Sequence, residues 1–130
     1  MHQTVLLIDD DQFIAGSLKQ YLVAEKWEVD VAGDAPAAET LLRARTYSVI
    51  VIDPYLTGTL NEDRGALMCH ARELQPEAAL IVLTGYGSSE MNRTAADCRA
   101  SVMSKPQSVL ALTEAIASAY RVSVRQRMNM

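Results

Sequence analysis

The sequence contains little that would favour a disulfide-rich, zinc-binding or membrane-spanning protein. It has two cysteines, two histidines and one tryptophan among 130 residues. Cys69 and Cys98 are too few and too far apart in the sequence for a disulfide framework or a metal knuckle, so we expect reduced thiols in apolar surroundings. No apolar run approaches the ~20 residues that a membrane-spanning helix requires. These absences favour a cytoplasmic protein.

Basic residues are also in the minority. The chain has 12 Lys and Arg against 16 Asp and Glu, a net charge of −4. Direct binding to nucleic acid is disfavoured, because phosphate contacts need a basic face. The first apolar run, Val5 to Ile8, ends at three aspartates, which is unlike a secretory signal. We therefore expect no direct contact with nucleic acid or with a membrane.

Apolar residues, in contrast, are plentiful. They make up 49% of the chain, which excludes intrinsic disorder. A domain of this length can bury roughly two-thirds of the surface that its unfolded chain exposes. The length suits one compact domain, which we place at residues 1–121. Residues 122–130 are interpreted as a C-terminal tail, either a frayed end or the start of a linker.

The hydrophobic periodicity switches repeatedly between a strand pattern and a helix pattern. Short apolar or alternating runs predict strands, in chain order, at residues 5–8, 27–31, 49–52, 79–83 and 101–104. Between and after them, apolar residues recur at helical spacing, and Asp34 is placed to cap the second helix. Five such strand–helix repeats predict a parallel sheet with helices on both faces and right-handed crossovers.

Polar side chains follow four of the five predicted strands. In an open α/β sheet, the binding crevice lies beyond the carboxyl ends of the strands, so these side chains should converge on one rim. They are, in chain order, Asp9, Asp10, Asp53, Thr84 and Lys105.

This set of side chains suits phosphoryl transfer. Clustered carboxylates repel one another unless a cation compensates them, and an all-oxygen ligand set suits Mg²⁺. The metal and Lys105 can neutralise phosphoryl oxygens, while an aspartate can be the attacking nucleophile. Each residue alone has an ordinary structural interpretation; Asp11, for example, can cap the first helix with its neighbours merely solvated. The ordered combination is what favours a functional site.

The same strand ends resemble those of response regulator receiver domains of bacterial two-component signalling. The resemblance covers about residues 3–120. It implies a (βα)5 flavodoxin-like three-layer sandwich with a five-stranded parallel sheet, of the chemotaxis-regulator type. The matching segments are Val-Leu-Leu-Ile-Asp9-Asp10, Val-Ile-Val-Ile-Asp53, Ile-Val-Leu-Thr84-Gly85 and Ser104-Lys105-Pro106.

The resemblance implies a role for each residue that handles the phosphoryl group. Asp53 would accept it from the phosphohistidine of a sensor histidine kinase or phosphotransfer protein. Thr84 would hydrogen-bond it, and Lys105 would pair with it. The chain would then be a signalling phosphoacceptor with self-catalysed transfer and slow autodephosphorylation, and not an enzyme that turns over a substrate.

The resemblance also implies a metal site and an output. Asp10, Asp53 and the backbone carbonyl of Tyr55 would ligate Mg²⁺, with Asp9 acting mostly through a water molecule. Phosphorylation would switch a surface that is read by an output protein, or by an output domain outside this sequence. A phosphorylation-dependent homodimer is a further expectation.

Three features depart from the usual pattern of the family, one of which is an interval from Thr84 to Lys105 that is one residue shorter than usual. The loop after Asp53, at residues 54–64, is longer than usual and carries three consecutive charged residues. Val102 stands where the family usually has a switch aromatic, three residues before the lysine. We therefore expect the phosphorylation chemistry to be intact and the coupling to the output to be non-standard.

Three other functions fit part of the pattern. A receiver-like interaction module, controlled mainly by binding, is suggested by the long loop and by Val102. A phosphatase of the haloacid-dehalogenase type needs a second carboxylate two positions after the nucleophile, where this chain has Tyr55. A flavin-phosphate site needs a turn rich in hydroxyls and amides after the first strand, where this chain has three aspartates. The first alternative stays open, and the other two lack a required group.

Overall fold

The computed structural model describes residues 3–53, 66–84, 89–104 and 108–128. Strands and helices alternate through these ranges, as the periodicity predicted. The elements are, in chain order, β1 (Thr4–Ile8), α1 (Gln12–Ala24), β2 (Glu28–Ala32), α2 (Ala35–Ala44), β3 (Val49–Ile52), α3 (Ala66–Leu74), β4 (Ala79–Thr84), α4 (Ser89–Asp97), β5 (Ala100–Ser104) and α5 (Val109–Met128). None of the helices in these ranges has the length and apolarity needed to cross a bilayer.

The strands form one parallel sheet in the order β2-β1-β3-β4-β5. Ile8 at the end of β1 is in register with Ile52 of β3 on one side and with Ala32 of β2 on the other. The ends of β2, β1 and β3 therefore lie level with one another. The predicted flavodoxin-like (βα)5 architecture is confirmed.

The sheet is buried on both faces, so its strands read as unbroken apolar runs. Leu6 and Ile8 of β1 pack into a cluster with residues of α2, α3 and the end of α4. Val5 and Leu7, which point to the opposite face, pack with residues of α1 and α5. The central strands are therefore packed between two apolar layers. The polar groups lie beyond the carboxyl ends of these strands, at the edge of the sheet.

Aspartates begin the first two helices. The Asp11 carboxylate accepts hydrogen bonds from the backbone N–H groups of Phe13 (3.1 Å) and Ile14 (3.2 Å). The Asp34 carboxylate accepts one from the N–H of Ala37 at 2.8 Å, as predicted for a helix cap. Because Asp11 is committed to capping α1, the chain leaves β1 through a short, defined turn.

The chain end differs from the expected frayed tail. Helix α5 continues without interruption past Arg121 to Met128. The hydroxyl of Ser123 donates to the backbone carbonyl of Glu77 at 3.4 Å, and Val122 lines a groove between α5, β4 and β5. These contacts give the last turns of α5 a partner on the sheet side. A domain boundary at residue 121 stays a prediction.

The two cysteines lie side by side. Cys69 on α3 and Cys98 in the turn before β5 are joined in a disulfide, with their Cα atoms 5.4 Å apart. The expectation that the two cysteines are too far apart to pair was wrong. The strands β3, β4 and β5 are neighbours, so the helices that follow β3 and β4 pack on the same face and bring distant positions together.

A buried amide connects α3 with the chain between α2 and β3. Gln75 is 5% exposed, and its Nε2 donates to the carbonyls of Leu42 (2.9 Å) and Arg45 (2.6 Å). Its Oε1 accepts from the N–H of Tyr47 at 3.0 Å. One side chain thus serves three backbone groups that no helix or strand pairs.

Replacing this amide should destabilise the domain. We expect Gln75→Leu to lower the free energy of unfolding by about 2–3 kcal/mol, because buried backbone groups lose their partners. Urea unfolding measures the change. Glu73→Ala, an exposed change two residues earlier at the end of α3, should stay within about 0.5 kcal/mol of the parent. Equal midpoints for the two variants would contradict the role assigned to Gln75.

Candidate functional site

Three carboxylates meet where β1 and β3 lie side by side in the middle of the sheet. Asp9 and Asp10 follow β1, and Asp53 follows β3. One oxygen from each carboxylate lies within 4.8 Å of the others. In the sheet, β2 lies on one side of β1 and β3 on the other. The strand order therefore reverses between β1 and β3, next to the three carboxylates. Such a switch point is where open α/β sheets bind their ligands.

The sheet backbone positions two of these acids. The N–H of Asp53 donates to the carbonyl of Ile8 at 2.8 Å, and the N–H of Asp9 donates to the carbonyl of Ala32 at 3.0 Å. Both bonds continue the parallel ladder one residue past the strands. The acidic side chains are therefore attached to the rigid sheet, and their spacing does not depend on a loop.

Burial distinguishes the three acids. Asp9 and Asp53 are 7% and 6% exposed, whereas Asp10 is exposed at the mouth of the site. A carboxylate oxygen of Asp9 also accepts a hydrogen bond from the N–H of Asp11 at 2.9 Å, which orients it. Nothing in the sequence separates Asp9 from Asp10 in this way. The difference comes from the turn into α1.

The donor set fits a hard divalent cation. All three groups offer carboxylate oxygens, and two of the groups are buried, where an uncompensated negative charge is costly. Mg²⁺ and Ca²⁺ take oxygen ligands at about 2.0–2.6 Å and accept water in their remaining positions. Asp9, Asp10 and Asp53 are the residues that could hold such an ion.

Of the remaining predicted site residues, Thr84 lies within the described part of the chain. Thr84 ends β4 and is in register with Ser104, the last residue of β5. The strands β4 and β5 thus end level with each other at the carboxyl edge of the sheet. Lys105 and Tyr55 lie outside the described residues, as does the loop at 54–64.

The position of the family's switch aromatic is on the edge strand. Val102 lies on β5 in register with Val82 and is 38% exposed. A small side chain therefore stands on this edge, partly in contact with solvent. The departure noted in the sequence is thus a surface feature of the strand next to α5.

A comparison with known protein families matches most of the chain. The family model of the response regulator receiver domain matches residues 5–117. The photosynthetic apparatus regulatory protein RegA of Rhodobacter capsulatus is 30% identical over 87 residues, which cover 66% of this chain and 45% of RegA. The chain spans less than half the length of the curated relatives that it matches.

Solved structures share the fold over nearly the whole chain. The CheY-like receiver domain protein of Methanospirillum hungatei superposes with a TM-score of 0.88 at 25% identity, covering 97% of this chain and 99% of that one. A Burkholderia pseudomallei response regulator, solved with a phosphorylated aspartic acid, a calcium ion and citrate, gives a TM-score of 0.78 at 28% identity, covering 98% of this chain and 74% of that one. Because the family model matches most of its length, at residues 5–117, this chain belongs to the response regulator receiver domain family.

Proposed function

We propose that this receiver domain accepts a phosphoryl group on Asp53, with Mg²⁺ held by Asp9, Asp10 and Asp53. The observation that carries the proposal is the meeting of three carboxylates within 4.8 Å at the switch point of the sheet. The Burkholderia relative with a phosphorylated aspartic acid and a calcium ion supports it. Mg²⁺, when bound, supplies positive charge to the phosphoryl oxygens.

Asp53 is the best placed of the three acids to act as nucleophile. Its carboxylate is buried and its backbone N–H is bonded to Ile8, so the attacking oxygen is held in a narrow range of positions. The oxygen attacks phosphorus, and the bond from phosphorus to the donor's imidazole nitrogen breaks, its electron pair leaving with the imidazole. Asp10, at the exposed mouth, is accessible to a hydrated cation.

The other residues have proposed roles around this reaction. We assign Thr84 to a hydrogen bond with the phosphoryl group and Lys105 to an ion pair with it, and the backbone carbonyl of Tyr55 to a further metal position. Thr84 is in register with Ser104, the residue before Lys105, which supports placing Thr84 and Lys105 at the same edge of the sheet. The assignments of Lys105 and Tyr55 rest on the sequence pattern.

The proposal places the chain between two partners. A sensor histidine kinase or a phosphotransfer protein donates the phosphoryl group, and an output protein or an attached output domain reads the result. The greater length of the curated relatives supports an attached domain. The chain itself is proposed to be cytoplasmic, to form a homodimer on phosphorylation and to dephosphorylate slowly, as a signalling phosphoacceptor and not a turnover enzyme.

A receiver-like interaction module, controlled mainly by binding, is the second candidate. The observation that favours it is Val102, which is 38% exposed and has no ring to turn inward when Thr84 moves. In that case the output partner should bind the phosphorylated and unmodified forms with equal affinity. A clear preference for the phosphorylated form would reject this candidate.

Phosphorylation should depend on Asp53. Incubation with acetyl phosphate and Mg²⁺ should add one phosphoryl group to the parent protein and none to Asp53→Asn, because the amide is not a nucleophile. Intact-protein mass spectrometry measures the adduct. Asp11→Asn is the matched control: it removes the same charge from a neighbouring position, its amide oxygen can still cap α1, and it should label normally. Equal labelling of Asp53→Asn and the parent would disprove the assignment.

Metal binding should depend on Asp10. We expect Asp10→Asn to weaken Mg²⁺ binding by about tenfold or more, since one anionic oxygen ligand is lost. Isothermal titration calorimetry measures the affinity. Because Asp10→Asn removes one of three neighbouring negative charges, the metal-free variant should be at least as stable to heat as the parent. An unchanged Mg²⁺ affinity would remove Asp10 from the metal site.

A further inference from the structure

The disulfide joins two segments that start at the functional site. The chain leaves Asp53 at the end of β3 and continues to α3, where Cys69 lies. It leaves Thr84 at the end of β4 and continues through α4 to Cys98. The Cα atoms of the two cysteines are 5.4 Å apart, inside the range of roughly 4.4–6.8 Å found in disulfides. The bond therefore links α3 to the turn that directly follows α4.

A separate polar clamp holds the same turn to α3. Arg72, one helical turn after Cys69, donates to the carbonyls of Cys98 (2.9 Å) and Arg99 (3.0 Å). Arg99 has a φ of 57°, in the left-handed region, and its N–H donates to the carbonyl of Ala96 at 3.1 Å. The path of this turn is thus set by hydrogen bonds that do not involve sulfur. Reduction should leave the two thiols close together, where re-oxidation is an intramolecular step.

The two sulfurs differ in accessibility. Cys98 is 4% exposed and belongs to the apolar cluster below α3 and α4, whereas Cys69 is only partly buried at the edge of that cluster. A thiol from solution therefore reaches Cys69 first.

We propose that Cys69 and Cys98 form a reversible redox pair, whose disulfide holds α4 against α3 and restricts the movement of α4. The effect on signalling rests on the phosphoacceptor function proposed above, whereas the redox pair does not. In reducing compartments, disulfides that do form are usually transient or redox-sensing, which fits a bond that the fold does not require. The site is a modification site outside the acidic cluster.

The oxidant is a low-molecular-weight disulfide such as oxidised glutathione. The Cys69 thiolate attacks one sulfur of that disulfide and releases one thiol. The Cys98 thiolate then attacks the Cys69 sulfur and releases the second thiol. Two cysteine thiols are oxidised, one small disulfide is reduced to two thiols, and the two cysteine protons end on the released thiols.

The redox pair is tested by counting thiols in the parent protein across glutathione buffers of graded composition, with alkylation and intact mass as the readout. We expect two alkylated cysteines in reducing buffer and none in oxidising buffer, with full reversal on return. Cys69→Ser and Cys98→Ala should not show the change from two alkylated cysteines to none. A parent that keeps the same thiol count across all buffers would overturn the proposal, and this result needs no variant to fold.

The restriction of α4 is tested by hydrogen exchange of its backbone amides in the oxidised and reduced parent. Oxidation should slow exchange through local opening by roughly 30-fold or more, the size typical of a disulfide cross-link. Cys69→Ser should exchange at the same rate in both buffers. If oxidation of the parent leaves the amide exchange rates of α4 unchanged, the proposed restriction of α4 is overturned.

The same measurement separates the two proposals. Asp53→Asn should keep the redox effect on α4, because the sulfur bond does not involve the acidic site. In the parent, acetyl phosphate with Mg²⁺ should change the amide exchange rates of α4 more in the reduced form than in the oxidised form, because the disulfide restricts α4. An equal change in both forms would overturn the link to signalling. Absence of any phosphoryl adduct would reject the proposed function and, with it, that link, while the thiol count still decides the redox pair.

Discussion

The repulsion between three carboxylates, held close together by the sheet, is the constraint that governs the functional edge of this domain. The parallel ladder, which is part of the buried core, fixes the backbone of Asp9 and Asp53, and Asp10 follows Asp9 directly, so the three acids stay close together. Two of them are also largely withdrawn from water. A bound cation would relieve this repulsion, which is why the proposed function assigns Mg²⁺ to these acids.

The central sheet is the rigid part of the fold, and α3 and α4 are the part that we expect to respond to a change at Asp53. The central strands are packed on both faces, so a charge change at Asp53 cannot be absorbed by the sheet. The helices that follow β3 and β4, α3 and α4, pack on one face of the sheet. Arg72 and the Cys69–Cys98 bond hold α3 to the turn after α4, and the proposed effect of the bond is to restrict the movement of α4.

Much of this arrangement was predictable from local patterns. The unbroken run at Val49–Ile52 marks a strand buried on both faces, and the structure has β3 at the same bounds. Asp34 before Pro36 indicates the start of α2, because a cap and a first-turn proline act within a few residues. The convergence of the acids followed from topology, since parallel strands end at the same edge. The bounds of α5 were not predictable, because its last turns depend on contacts with distant residues such as Glu77.

The amino-acid order by itself determined the alternation of strands and helices, the parallel sheet and the identity of the residues at its carboxyl edge. All of these depend on periodicity and on side chains close in sequence. The tertiary structure alone decided that Asp9 is buried while Asp10 is exposed, that Gln75 serves three backbone groups, and that Cys69 meets Cys98. These features depend on distances between elements far apart in the chain, and such distances exist only after the helices have packed on the sheet.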